Sequence, residues 1–132
     1  MDDITKAISA MEGFGVALSL STRNANPGNI RSWKKEGIAY PTRKGFVNFM
    51  AWAHGDKMLA ENEGWRVLKT LVHLYLDGRY TGGKSPSLNQ MFAKYAPDSD
   101  GNHSAAYAAF VAKRVGVLAE KPLADYLVDE GV

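Results

Sequence analysis

The sequence predicts an α+β fold that is predominantly helical, with a small β-hairpin region after the first helix. Apolar residues recur at helical spacing near the N-terminus and again over most of residues 50–128. Between these regions lies a stretch rich in Asn, Pro and Gly, followed by two short apolar runs around a charged tip. The chain has 132 residues, 45% of them hydrophobic, and shows no internal repeat or linker. We therefore expect one domain spanning residues 1–132.

The first helix is predicted from an apolar stripe with the spacing i, i+3, i+4, i+7, formed by Ile4, Ala7, Ile8 and Met11. Gly13 and Gly15 are expected to end this helix. Glu12 follows the stripe directly, so we expect it in the last turn, at the edge of the buried face. Residues 16–20 are apolar, but the run is too short to assign to a helix or a strand.

A turn-rich segment follows the first helix. The density of Asn, Pro and Gly over residues 24–29 predicts a turn. Residues 30–33 and 38–40 flank the charged segment 34–37, which predicts a β-hairpin with that segment at its tip. Residues 45–49 are expected to form a third short strand, and little β-structure is expected elsewhere.

Helices are predicted over the remainder of the chain. A helix over residues 50–60 is expected to be interrupted at Gly55, and Asn62 is the predicted N-cap of the next helix. The apolar stripe of that second helix has helical spacing and consists of Trp65, Leu68, Leu71, Val72 and Tyr75.

Three further helices are predicted toward the C-terminus. One is expected to open at Ser85-Pro86, with proline at the first helical position. Another is expected to be capped by Ser104 and ended by Gly116. A short terminal helix is predicted over residues 123–128.

Composition and charge narrow the classes of function. The net charge is +2 and the pI is about 8.8, a balance too weak to predict nucleic acid as a partner. The chain has no cysteine, which excludes disulfides and cysteine-based metal sites. Its three histidines match no metal-binding spacing, and no phosphate-binding glycine loop is present, so we expect neither a metal nor a cofactor.

The N-terminal residues carry no targeting signal that we can identify. Met1-Asp2-Asp3 is acidic and is not followed by the apolar segment of a signal peptide. No run in the sequence approaches the ~18 apolar residues of a membrane span. We therefore expect no signal peptide and no membrane insertion.

Glu12 is the candidate catalytic residue, as the general acid in the cleavage of a glycosidic bond. Such an acid must be partly desolvated, because burial raises its pKa and keeps it protonated near neutral pH. The end of an amphipathic helix beside a glycine-rich turn provides that environment, and the negative end of the helix dipole also favours the protonated form. The alternative is an ordinary, solvent-exposed Glu in a last helical turn.

The polar residues of the following turn are candidate sugar ligands. Asn24, Asn26, Asn29 and Arg31 carry amide and guanidinium groups that can hydrogen-bond hydroxyl, N-acetyl and carboxylate groups of a glycan. The alternative is turn chemistry, because Asn tolerates left-handed backbone and Asn-Pro-Gly-Asn forms a turn in any case.

Aromatic residues are candidate stacking surfaces for sugar rings. Trp33 lies among basic residues and is expected to be exposed, whereas the other two tryptophans lie on helical stripes and are expected in the core. Tyr95 and Tyr107 bracket the polar turn of residues 97–102 and are candidates to line a groove, and Asn102 at the end of that turn is a candidate sugar ligand. Packing in the core is the alternative for both tyrosines.

Several motifs along the chain share one known pattern. They are a helix ending in Glu-Gly, an Arg-Asn-x-Asn-Pro-Gly-Asn-Ile-Arg turn, and later Tyr-Ala-Pro, Asp-Gly-Asn and Tyr-Ala-x-Phe-Val-Ala. They stand at residues 12–13, 23–31, 95–97, 100–102 and 107–112. Together, over roughly residues 4–128, the chain resembles the phage and prophage branch of the lysozyme-like superfamily, which contains muramidases and lytic transglycosylases. The family often has a second Asn where this chain has Ala25.

The resemblance implies a lysozyme-like fold with a small sheet lobe, a helical lobe and a glycan cleft between them. It also implies that Glu12 protonates the oxygen of the β-1,4 bond between N-acetylmuramic acid and N-acetylglucosamine in peptidoglycan. Hydrolysis of the lysozyme type needs a second carboxylate, for which Glu36 is the candidate. Without one, the chain would follow the lytic transglycosylase route, in which the C6 hydroxyl of the substrate replaces water and Glu12 acts first as acid and then as base.

The implied partners are peptidoglycan glycan strands and, in addition, other proteins of a virion or secretion machine. The implied location is synthesis in a bacterial cytoplasm and action at the cell wall or periplasm, or within a phage virion. Two alternatives to an enzyme remain open at the level of sequence. One is a non-catalytic virion structural or glycan-binding module with the same fold, and the other is a regulatory or nucleic-acid-binding helical domain.

Overall fold

The first helix forms where the apolar stripe predicts it. In a computed structural model that describes residues 3–124, helix α1 covers Asp3–Met11 and buries the stripe residues Ile4, Ala7 and Ile8. Gly13 follows with a φ of 76°, a left-handed conformation that glycine adopts without strain. The prediction of this helix and of its glycine end is confirmed.

A single helical turn, α2 (Leu20–Arg23), lies in the apolar segment that the sequence left unassigned. Its N-cap is Ser19, whose side-chain oxygen accepts a hydrogen bond from the main-chain N–H of Thr22 at 3.2 Å. Four residues are too few to show helical periodicity, so this cap is the signal that identifies the turn.

The predicted β-hairpin is present, but its first strand begins later than expected. Strand β1 (Lys34–Lys35) pairs antiparallel with β2 (Ile38–Ala39). The prediction of a strand over residues 30–33 and a tip over 34–37 is therefore wrong in register. The cause is a two-residue turn at Glu36-Gly37, where both residues have positive φ, as type I′ turns require.

The predicted third strand is present, shorter than expected, as the second strand of a hairpin whose first strand the sequence did not predict. Strand β3 (Thr42–Arg43) pairs antiparallel with β4 (Phe46–Val47), and the two hairpins form separate two-stranded sheets. Lys44-Gly45 joins these strands, and both residues have positive φ. The two short hairpins and the larger helical part confirm the α+β class.

The predicted interruption at Gly55 is confirmed, whereas the predicted N-cap at Asn62 is wrong. Helix α3 (Phe49–Trp52) is separated by a positive-φ turn at residues 54–55 from α4 (Lys57–Leu76). The side chain of Asp56 accepts a hydrogen bond from the Leu59 N–H at 3.1 Å, so Asp56 caps α4. Asn62 is an exposed residue within that helix.

Gly64 lets α4 approach the Asn-rich turn closely. A Cβ atom built on Gly64 would lie 2.1 Å from the carbonyl oxygen of Ala25 and 2.9 Å from Cδ of Pro27. Real Cβ atoms do not come this close to backbone atoms, so glycine is required here for the contact between helix and turn.

The chain divides into two compact units, Met1–Thr70 and Leu71–Val132, so that α4 contributes to both. The largest fully buried apolar side chains are found in both units: Ile4, Ile8, Val47, Phe49, Val67 and Leu68 in the first, and Val72, Leu88, Met91, Phe92, Val111 and Leu123 in the second. The expectation of a single domain stays a prediction. No helix within residues 3–124 is both long enough and apolar enough to cross a membrane.

In the second unit, α5 (Leu88–Tyr95) begins later than predicted. Ser87 and Gln90 form a reciprocal capping box, so Ser87 is the N-cap and the predicted opening at Ser85-Pro86 lies too early.

The polar segment after α5 leads into the last complete helix. A short 3₁₀ turn, Asp98–Asp100, precedes α6 (Ser104–Val115). The N-cap position is His103, so the predicted cap at Ser104 is wrong by one residue. Ser104 is the first helical residue, and its N–H donates to Oδ1 of Asp98 at 2.8 Å. Gly116 ends α6 in a left-handed conformation, as predicted. Of the predicted terminal helix, residues 123–124 are helical, and residues 125–128 lie outside the described residues.

Candidate active site

Glu12 is held in place through its backbone at the C-terminus of α1. Its N–H donates to Ile8 O at 3.0 Å, and its C=O accepts from Oγ of Ser21 at 2.8 Å. The next two N–H groups, of Gly13 and Phe14, bond back to α1 in the pattern of a Schellman motif. The backbone that carries the candidate acid is therefore fixed on both sides.

The Glu12 side chain is half-buried and makes one side-chain hydrogen bond with the residues that the structure describes. Nδ2 of Asn29 donates to Oε2 of Glu12 at 3.2 Å. Burial raises the pKa of the Glu12 carboxyl, and the hydrogen bond from Asn29 partly offsets that rise by favouring the charged form. The pKa therefore lies above that of an ordinary Glu, which moves the carboxyl toward the protonated state that a general acid needs.

A network of hydroxyl groups orders the loop after Glu12. Oγ of Ser19 lies 2.9 Å from the Gly13 carbonyl oxygen and 2.8 Å from Oγ1 of Thr22, and its single proton can be donated to either. Oγ1 of Thr22 in turn accepts from the N–H of Gly15 at 2.9 Å. The loop is thus bonded internally to the cap of α2.

This ordered loop exposes two large apolar side chains. Val16 is 62% exposed and Leu18 is 83% exposed. Leu18 also has a φ of 69°, a left-handed conformation that glycine and Asn tolerate but that is unfavourable for a bulky residue such as leucine. Nearby in sequence, Phe14 packs edge-on against Trp65 of α4, with 5.3 Å between ring centroids.

Asn26 is fully buried and its amide is occupied by main-chain groups. Its Nδ2 donates to Ile30 O at 2.9 Å and to Val47 O at 3.0 Å, and its Oδ1 accepts from the Ile30 N–H at 3.0 Å. These bonds tie the turn to β4 and leave no polar atom of Asn26 for a sugar. Asn24 is also fully buried, and its Oδ1 accepts from Nε of Arg43 at 2.7 Å.

Of the predicted ligands in this turn, Asn29 is the one that contacts Glu12. Its backbone is left-handed, with a φ of 47°, which Asn tolerates better than most residues. Its Oδ1 is buried and has no hydrogen-bond partner within residues 3–124.

The remaining predicted residues of the first unit lie just before the first hairpin or at its turn. Arg31 is exposed, and its guanidinium lies 5.1 Å from the ring centroid of Phe46. Trp33 is half-buried, although exposure was expected. Glu36, the proposed second carboxylate, lies at the exposed turn between β1 and β2 and lines a recess of about 200 Å³ that also includes Trp52. The assignment of Glu36 stays a prediction.

The sequence did not predict a further buried carboxylate, Glu63. It is 6% exposed and forms what we call the Glu63 cluster with Lys35, Tyr40 and Arg66. Its Oε1 accepts from Nε of Arg66 at 2.6 Å, and its Oε2 accepts from Nζ of Lys35 at 3.0 Å and from the Tyr40 hydroxyl at 2.5 Å. The Arg66 hydrogen bond is the main cause that lowers the pKa of Glu63 to about 2.

The Glu63 cluster links the first hairpin to α4. The hydrogen bond that the Tyr40 hydroxyl donates to Glu63 also helps to raise the pKa of Tyr40 to about 12, although burial is the larger cause. The i, i+3 spacing of Glu63 and Arg66 is the only part of the cluster that the sequence signals.

The predicted residues of the second unit occupy different environments. Tyr95 is half-buried, and its ring lies 5.7 Å from Phe92 and 6.1 Å from Tyr75 between centroids. Asn102 donates from Nδ2 to Pro97 O at 3.3 Å, which closes the polar turn.

Asn102 also lines an open recess of about 690 Å³ in this unit, together with residues 98 and 103–106. Tyr107 is half-buried on α6. Over residues 3–124, no group of three or more His, Asp and Glu side chains is arranged to hold a metal ion.

Comparison with known proteins gives no further information about the function, since no family model, curated protein or solved structure matches this chain.

Proposed function

We propose that this chain cleaves the glycan strands of peptidoglycan at the β-1,4 bond between N-acetylmuramic acid and N-acetylglucosamine, with Glu12 as the general acid. The proposal is carried by one observation. Glu12 is a half-buried carboxyl at a fixed helix end, and burial raises its pKa above that of an ordinary Glu. The sequence resemblance to phage muramidases and lytic transglycosylases supplies the substrate.

The chemistry begins with proton transfer from Glu12 to the glycosidic oxygen, which makes the departing sugar a better leaving group. Positive charge develops on the sugar ring as the bond breaks. The Glu12 carboxylate that remains is then available to remove a proton from the attacking hydroxyl.

We favour the lytic transglycosylase route for the second step. A double-displacement or inverting hydrolase needs a second carboxylate with free lone pairs close to the bond. Glu63 is a poor candidate, because both of its oxygens already accept hydrogen bonds from Lys35, Tyr40 and Arg66. In the transglycosylase route the C6 hydroxyl of the same muramic acid attacks, and its proton passes to Glu12.

The lysozyme-like fold is part of the same proposal. It is supported by the order of elements in the first unit, in which α1 ends at the candidate acid and two short antiparallel hairpins follow before the long helix α4. Partners in a virion or a secretion machine, and action at the cell wall, are proposed on the resemblance alone.

A non-catalytic glycan-binding or virion structural module is the second candidate. The exposed apolar side chains of Val16 and Leu18 favour it, because exposed apolar patches are typical of interaction surfaces. Such a module would retain wall binding and lack cleavage.

The test is the clearing of a suspension of purified cell walls, followed by turbidity. We expect wild type to clear the suspension and Glu12→Gln to lose at least about 100-fold of that rate, as is typical when a general acid is removed. Glu61→Gln, the same substitution at a residue on α4 outside the candidate site, is the matched control and should clear like wild type. Sedimentation with the walls and no clearing by any variant would instead support the binding module.

A further inference from the structure

The amide of Asn29 is used at one end only. Nδ2 donates to Oε2 of Glu12 at 3.2 Å, whereas Oδ1 is buried without a hydrogen-bond partner among the described residues. A buried acceptor with no donor is a standing cost to the folded state, and such atoms are rare in native proteins. The opposite orientation of the amide would turn Oδ1 toward Glu12, so the observed orientation needs a reason.

We propose that Asn29 is a positioning residue for Glu12, which confines the catalytic proton to Oε1 and leaves it free for the substrate. This inference rests on the proposed function of Glu12 as a general acid. It assigns Asn29 a role toward the catalytic carboxyl and not toward the sugar, for which the sequence had suggested it.

The chemistry of the two groups gives this arrangement. The amide nitrogen of Asn is only a donor, so the atom of Glu12 that it contacts must act as an acceptor. A neutral Glu12 therefore carries its proton on Oε1, with Oε2 as the carbonyl oxygen that accepts from Nδ2. The O–H of Oε1 then has no competing acceptor on Asn29.

The opposite orientation of the Asn29 amide would make the Glu12 proton unavailable to the substrate. Oδ1 would then face Glu12, and it would gain a partner only by accepting the carboxyl proton itself. The unpartnered Oδ1 is thus the consequence of an orientation that keeps the proton available. The left-handed backbone of Asn29, with a φ of 47°, holds the side chain at this position.

The same hydrogen bond also strengthens during the reaction. When the proton leaves Oε1, Glu12 becomes a carboxylate, and the bond from Nδ2 to Oε2 becomes charge-assisted. An interaction that is stronger after proton transfer than before it lowers the barrier to that transfer. Burial raises the pKa of Glu12, and the hydrogen bond from Asn29 opposes that rise.

The test is Asn29→Gly, because glycine adopts the left-handed conformation freely and removes the amide. Titration of the Glu12 carboxyl by NMR should show a higher pKa than in wild type, since the lost bond favoured the charged form. In wall clearing, kcat should fall about 10- to 100-fold with KM unchanged, as expected for a misplaced catalytic group. The basic limb of the pH profile should move to higher pH, because the acid stays protonated for longer.

Two further variants make the result specific. Asn29→Asp keeps the size of the side chain and the left-handed backbone, but it lacks a donor when charged. It should therefore also raise the pKa of Glu12. If the glycine variant does not fold, this variant provides the same test. Asn62→Ala, an exposed change on α4, should leave both the titration and the kinetics unchanged.

The outcomes separate the inference from the proposed function. If wild type clears walls but the Glu12 pKa is the same in Asn29→Gly, the inference is overturned alone. A raised KM with an unchanged kcat and pH profile would identify Asn29 as a sugar contact and also overturn it. If wild type clears no walls, the proposed function fails, and the catalytic role of Asn29 fails with it.

Discussion

Replacing Glu63 with glutamine should destabilise the first unit, because this buried carboxylate is the shared acceptor of Lys35, Tyr40 and Arg66. Glutamine has nearly the same shape, and its carbonyl oxygen can still accept from the Tyr40 hydroxyl. What it removes is the negative charge that two cations face. The substitution also replaces one of the two acceptor oxygens, because the amide nitrogen of glutamine can donate but cannot accept the hydrogen bond of Arg66.

The size of the effect follows from the shifted pKa and from the exposure of the partners. The pKa of Glu63 falls from 4.5 to about 2, which corresponds to about 3 kcal/mol at neutral pH. Removing one partner of a fully buried pair costs about 3–5 kcal/mol. Here the side chains of Lys35 and Arg66 are 44% and 51% exposed and stay hydrated when the charge is lost. We therefore expect a loss of about 2–3 kcal/mol in the free energy of unfolding.

The loss should depend on pH in one direction. The folded-state pKa of Glu63 lies below its unfolded value, so the stabilisation is complete above pH 4.5 and declines as the pH falls toward 2. Urea unfolding of wild type and Glu63→Gln at several pH values from 7 to 3 measures this. The difference between the two proteins should be largest at pH 7 and should shrink below pH 4.5.

Lys35→Gln is the matched control, since it removes one exposed cation and leaves the buried carboxylate paired with Arg66 and Tyr40. We expect it to cost about 1 kcal/mol or less, as exposed ion pairs do. Equal unfolding free energies for wild type and Glu63→Gln at pH 7 would refute the electrostatic account. A difference that stays constant from pH 7 to 3 would refute it as well.

Two other substitutions test the packing around the Asn-rich turn, again by urea unfolding. Gly64→Ala should destabilise by about 1–3 kcal/mol or more despite the better helix propensity of alanine, because its Cβ would meet the carbonyl oxygen of Ala25. Asn26→Ala should cost at least about 2 kcal/mol, since it leaves the Ile30 N–H and the Val47 C=O without partners at about 1–3 kcal/mol each, whereas the Ile30 C=O still accepts from the Val47 N–H. Asn62→Ala, an exposed change on the same helix as Gly64, is the control for both and should stay within about 0.5 kcal/mol of wild type. Near-wild-type stability of either test variant would contradict the contact that it removes.

The parts of the fold that could be predicted are those with a local cause. The apolar stripe and the glycine end of α1 predicted that helix correctly, because both signals lie within a few residues of each other. The hairpins were also signalled locally, by Glu36-Gly37 and Lys44-Gly45, whose positive φ fits two-residue turns. Because Glu36-Gly37 lies within a longer charged segment, the sequence predicts a tip over residues 34–37 and places the first strand too early, over residues 30–33.

The parts that could not be predicted depend on partners far away in the sequence. Asn26 reads as a surface turn residue, but its amide bonds to Val47, 21 residues later. Glu63 reads as a polar residue in a first helical turn, yet the partners that allow its burial include Lys35 and Tyr40 on the first hairpin. A pattern based on polarity places such residues at the surface, because nothing local shows that their hydrogen bonds are satisfied inside.

For the candidate acid Glu12, the position could be predicted from the sequence but the contact with Asn29 could not. Its place at the end of α1 followed from the stripe, and the raised pKa agrees with the expected partial burial. Its contact with Asn29 depends on the path of the turn between them, which returns the chain to the end of the helix. The sequence supplied both residues but suggested a sugar, and not Glu12, as the partner of Asn29.

The most direct measurement of the central claim is mass spectrometry of the fragments released from purified peptidoglycan by wild type and by Glu12→Gln. With Glu12 as the acid and the C6 hydroxyl as the nucleophile, wild type should release fragments ending in 1,6-anhydro-N-acetylmuramic acid, and Glu12→Gln should release none above background. Reducing ends in place of anhydro ends would contradict the transglycosylase route. The same fragments in equal amounts from both proteins, or no fragments from wild type, would contradict the assignment of Glu12.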